Sequence, residues 1–89
     1  MKPEQFIQSI QITMGEFDRC MQGMGFRDRW YEKLFRAHSA VKFGWQHTDI
    51  IKRDNPILKG VSEACSLTDI DIDCVFLLAS INRPVVVLH

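Results

Sequence analysis

Apolar residues recur at helical spacing along most of this chain. Phe6, Ile10, Met14, Phe17, Met21 and Met24 follow at steps of four, four, three, four and three. One face held that long predicts a helix over 3–22, with Pro3 in its first turn. Ile10, Ile12 and Met14 also alternate like a strand, but the longer stripe outweighs those three residues. Gly23 and Gly25 end the helix. Asp28 is placed to cap a second helix over 28–43. Trp30, Leu34, Ala37 and Val41 make its inner row, Tyr31, Phe35 and His38 widen it, and Gly44 stops it.

The next stretch is less regular. Thr48 is placed to cap a short turn over 48–53 that carries Ile50 and Ile51. Asn55-Pro56 is a strong start for a helix over 56–66: a side-chain acceptor at the cap, then proline where no amide partner is needed. Ile57, Leu58, Val61, Ala64 and Cys65 form its inward face. Thr68 and Asp71 read as a capping box opening a helix over 69–82. Its stripe is Ile70, Cys74, Leu77, Leu78 and Ile81, and Pro84 forbids continuation. The alternation from Ile70 to Leu78 also suits a buried strand; the caps at both ends favour the helix. The β-branched run Val85–Val87 makes Pro84–His89 an extended arm, packed inside or paired with a second chain. The expected fold is therefore all-α: one domain, 1–89, a compact bundle of four main helices with a fifth short piece and an extended C-terminal arm.

Composition narrows the class. Apolar residues are 46% of the 89 and charged residues 25%, which excludes a disordered chain. A chain this short buries only about 60–65% of its unfolded surface, so a core shared between two copies is a realistic alternative. Cys20, Cys65 and Cys74 are too few and too odd in number for a disulfide scaffold. They read as reduced core residues of a cytoplasmic protein. The apolar run Val75–Ala79 is far short of the ~20 residues that span a bilayer, so no membrane is expected.

Charge is sorted along the chain. Residues 27–53 hold seven cations and three anions, net +4; residues 54–89 hold two cations and five anions, net −3. Such sorting can steer a partner or pair with another copy.

Catalytic and metal chemistry find little support. His38, His47 and His89 lack ligand spacing, so no metal site is expected. Asp69, Asp71 and Asp73 open like a calcium loop, but Cys74 and Ser80 stand where glycine and a bidentate glutamate are required. No nucleophile turn or phosphate loop is present, so no catalytic residue and no cofactor is assigned.

The basic segment remains. Arg29, Lys33 and Arg36 share one helix face at i, i+4 and i+7; Arg27, Lys42 and Trp45 extend it. Arginines and aromatics in this pattern suit a protein hot spot. The same positions also suit a solvated rim, with Glu32 and Arg36 paired. The expected function is a small non-enzymatic protein-binding module that acts by docking and occlusion: an adaptor, an assembly subunit, or a compact inhibitor of phage or plasmid type. The alternative is a dimeric nucleic-acid-binding regulator using the basic second helix. The near-neutral pI weighs against it. A homo-oligomer, the positive segment of one copy on the negative segment of another, is the third reading.

Overall fold

Residues 3–81 are described by a computed structural model, with side chains from Phe6 onward. The elements run α1 (Pro3–Ser9), β1 (Gln11–Thr13), α2 (Met14–Gly23), α3 (Arg27–Phe35), α4 (Ser39–Gln46), β2 (Ile50–Lys52), α5 (Pro56–Ala64) and α6 (Asp69–Ile81). The described chain is mostly helical, but two of the four expected helices are broken and a small sheet joins them. The expected arm, Pro84–His89, lies outside the described residues.

Thr13 breaks the first stripe. Its hydroxyl accepts from the Glu16 amide at 3.1 Å, while its own amide donates to Glu16 Oε1 at 2.9 Å. This capping box starts α2 at Met14 and forces the preceding residues out of the helix. They form β1, antiparallel to β2, with Ile12 opposite Ile51 and both fully buried. The 48–53 piece thus holds a strand, Ile50–Lys52, and not a helical turn: Ile51 gains a cross-strand partner in the core.

The second break is at His38. Its Nδ1 accepts from the Ala40 amide at 3.1 Å and caps α4, so His38 is exposed and not part of a buried row. Along a straight helix Trp30 and Trp45 would stand about 22 Å apart. The turn between α3 and α4 brings their rings to 4.7 Å. Phe17 meets both edge-on, at 5.2 and 5.3 Å, and the Trp30 indole N–H donates to Ser62 Oγ at 3.1 Å. This cluster is the centre of the core. Phe35, expected to widen the inner row, is 71% exposed.

Local signals set the other boundaries. Asn55 Oδ1 accepts from the Ile57 and Leu58 amides, with Pro56 at the first helical position. Thr68 and Asp71 bond reciprocally at the start of α6. Asp28 is not the cap of α3; it sits in the first turn, and Phe26 at the cap position makes no side-chain bond. Gly44 does not stop a helix. It lies within α4, where an added Cβ would stand 2.9 Å from Ile57 Cδ1, so its bareness lets α4 approach α5.

The helices α2 and α5 end alike. The amides of Gly25 and Phe26 return to Gln22 and Met21, and those of Ser66 and Leu67 to Glu63 and Ser62. Both closures need a left-handed residue. Gly25 has φ +77° at no steric cost, whereas Ser66 is forced to φ +63°. Ser66→Gly is therefore expected to raise stability by about 0.5–1 kcal/mol. A urea midpoint at or below that of the unaltered protein would contradict this.

The largest correction concerns α6. Its inward residues are Ile72, Val75, Phe76 and Ala79, all buried against α2 and β1. Of the expected stripe, Ile70 is 72% exposed and Ile81 74%, while Cys74 is half-buried and Leu77 is half-buried against the core.

Candidate functional site

The α3–α4 turn and α5 enclose an apolar groove of about 570 Å³. Ala37, Val41, Ile57, Val61 and Ala64 contribute its apolar lining, and Lys33 and Arg36 stand at its edge. Gly60, on α5, meets nothing within 4 Å of an added Cβ, so part of this space exists because that position carries no side chain.

The predicted contact residues divide between several places. Lys33 and Arg36 border the groove, and Arg29 precedes them by one turn on the same helix face. Arg29 lies over the Phe26 ring at 5.4 Å. Arg36 pairs with Glu32 at 2.8 Å, both in solvent. Lys42 Nζ donates to the Phe35 carbonyl at 3.4 Å, near the end of α3. Arg27 is on the opposite side of α3, 5.2 Å above the Tyr31 ring and beside Asp18 and Asp28. Trp45 is corrected outright. It is 3% exposed, held between Phe17 and Trp30, and cannot reach a partner.

Arg53 has a role that periodicity gave no reason to expect. It is 8% exposed, and its Nε donates to Asp73 Oδ1 at 2.7 Å. Nη2 donates to the Asp69 carbonyl at 3.2 Å and approaches its carboxylate at 3.5 Å. The available signal was Arg53 directly after an apolar strand, together with Asp69 and Asp73 four residues apart on one helix face. Part of the sorted charge is therefore neutralised inside the molecule. A second cleft of about 400 Å³ adjoins this pair, with Lys59 and Asp54 also on its walls. Cations and anions mix there, so it has no dominant sign.

Burial raises two thiols and one phenol. Burial pushes the Cys65 thiol up, while Arg29 and Lys33 pull it the other way. Burial also raises the Cys20 thiol, with Glu16 adding to the effect. Tyr31 is pushed up to about 12, first by burial and then by its hydrogen bond to Asp18, with Trp45 and Arg27 opposing. Trp45 Nε1 is buried with no hydrogen-bond partner among the described residues.

Tyr31 is the only tyrosine, which makes its titration readable. Its absorbance change is expected near pH 12 in the folded protein, against about 10 in urea. The folded state holds this proton more tightly than the unfolded one. Its contribution to stability is therefore full below pH 10 and fades as pH climbs toward 12. A native midpoint at 10 would refute the burial argument.

Among the described residues no group of three or more metal-ligating side chains converges, and no helix is long and apolar enough to cross a membrane. No protein-family model, curated protein or solved structure matches this chain.

Proposed function

We propose that this protein acts by docking a partner protein, which lays an amphipathic helix with flanking carboxylates into the groove between α3, α4 and α5. The observation that carries this reading is an apolar groove edged by Lys33 and Arg36. Helix-in-groove recognition takes apolar anchors at i, i+3, i+4 and i+7 from the ligand. Two cations at the edge favour acids beside those anchors and speed encounter. The action is occupancy of a surface, with no chemical turnover. Nucleic acid is the weaker alternative, because Arg27 is turned away from the face of Arg29 and Lys33 and the chain as a whole carries no net positive charge.

The test uses two fluorescent model helices that share leucine anchors, one flanked by glutamates and the other by lysines. Anisotropy should show tighter binding of the acidic helix. A Cβ at Gly60 meets nothing within 4 Å, so Gly60→Trp can place its indole in the groove and should abolish binding. Lys33→Glu with Arg36→Glu should weaken the acidic helix by roughly 10-fold or more and leave thermal stability nearly unchanged. Equal affinity for both helices, or full binding by Gly60→Trp, would end this reading.

A further inference from the structure

Glycine is, after proline, the most destabilising residue in a helix interior, because it surrenders the most backbone freedom on folding. A glycine inside a helix therefore calls for an explanation. Four of the five glycines have one within the chain. Gly25 takes a positive φ, and Gly44 lets Ile57 approach its backbone. Gly15 and Gly23 stand at the second and last positions of α2, outside the helix interior. Gly60 has none of these reasons. It is the fifth of nine residues in α5, its φ is not positive, and an added Cβ would meet nothing within 4 Å. An alanine would fit there and stiffen the helix. Gly60 is also exposed, and it lines the apolar groove.

We propose that Gly60 is the floor of a subsite for one large aromatic side chain of the partner helix. The proposal rests on the groove reading above and adds which anchor that groove selects. Bare backbone lets a flat ring approach α5 more closely than any residue with a Cβ would. Val41, Ile57 and Val61 supply apolar walls, and the space of about 570 Å³ is ample for an indole. Lys33 and Arg36 at the edge distinguish a ring from an aliphatic anchor, because a cation is drawn to an aromatic face and gains nothing of the kind from leucine. Aromatic anchors in desolvated pockets are also where binding energy concentrates.

At this position stability and binding oppose each other. Gly60→Ala should raise Tm by about 2–8 °C, since alanine restricts the unfolded chain and suits the helix. The same methyl group should intrude on the subsite. The probes are three forms of the acidic model helix, with tryptophan, leucine or alanine as the central anchor, measured by anisotropy. The unaltered protein should bind the tryptophan form about 5-fold more tightly than the leucine form. Gly60→Ala should bind the tryptophan form roughly 10-fold more weakly and the alanine form with less than ~2-fold change. A loss confined to the large anchor is what a merely structural glycine would not produce.

Equal affinity of the tryptophan and leucine forms for the unaltered protein would overturn the proposal. So would undiminished binding of the tryptophan form by Gly60→Ala, or a uniform loss across the three forms. A lower Tm in Gly60→Ala would show that the fold itself needs the glycine, with the same consequence. In each of these cases binding of the acidic helices by the unaltered protein leaves the groove reading standing. Failure of all three forms to bind it would remove both.

Discussion

Trp30→Ala is expected to lower stability by about 3–5 kcal/mol, the largest effect of any single substitution considered. Trp30 is fully buried, and its ring meets Phe17, Tyr31 and Trp45 within 5.2 Å. Truncation removes those contacts and leaves a cavity that rigid neighbours close only in part. It also strands Ser62, which is 3% exposed and accepts the indole N–H. A domain of this length has on the order of 5–10 kcal/mol in total, so much of the variant would be unfolded in mild denaturant. Ser62→Ala isolates the hydrogen-bond part and should cost about 1–3 kcal/mol. Urea denaturation followed by circular dichroism gives both values. A loss below about 1 kcal/mol for Trp30→Ala would mean that the aromatic cluster is not the centre of the core.

Arg53→Ala is the second substitution expected to matter, with a loss of about 2–4 kcal/mol. Arg53 ties the turn after β2 to the first turns of α6 through Asp73 and the Asp69 carbonyl. Its side chain is 9% exposed and that of Asp73 29%, so the pair is screened far less than a surface pair. Removing the guanidinium leaves the Asp73 carboxylate half-desolvated with its strongest partner gone. The Asp69 carboxylate is 93% exposed and should contribute little, so Asp69→Ala is expected to fall within about 0.5 kcal/mol. Arg53→Met with Asp73→Leu removes both charges and should recover part of the loss, because no buried ion is left unmatched. If the double variant were no better than Arg53→Ala, the loss would lie in packing of the arginine stem and not in the charge.

These two residues also mark where the chain was readable and where it was not. Trp30 belongs to a helical row visible in the spacing, and its burial follows from that row. Trp45 was assigned to the surface because it follows the cations of a helix expected to run unbroken from 28 to 43 and to stop at Gly44. The His38 cap breaks that helix and turns the indole inward. Arg53 was counted with the cations of its segment, since nothing in residues 48–54 says that a strand carries it beneath α6. Of the proposed contact group, Lys33 and Arg36 do border one groove, and its apolar lining comes largely from α5, which the charge pattern never involved.

The sequence by itself determined what a few neighbouring residues can decide. Asn55-Pro56 starts α5, Thr68 with Asp71 starts α6, and Gly25 closes α2, because caps and turns are settled by bonds reaching two to five positions along the chain. Helical character over most of the chain was legible for the same reason. Tertiary structure alone decided which face of α6 turns inward, since both faces are apolar and periodicity cannot choose between them. It decided equally that Ile12 and Ile51 pair across a sheet, and that Arg53 sits under α6. In each case the deciding energy is burial against residues distant in sequence, and that energy exists only once the helices have come together.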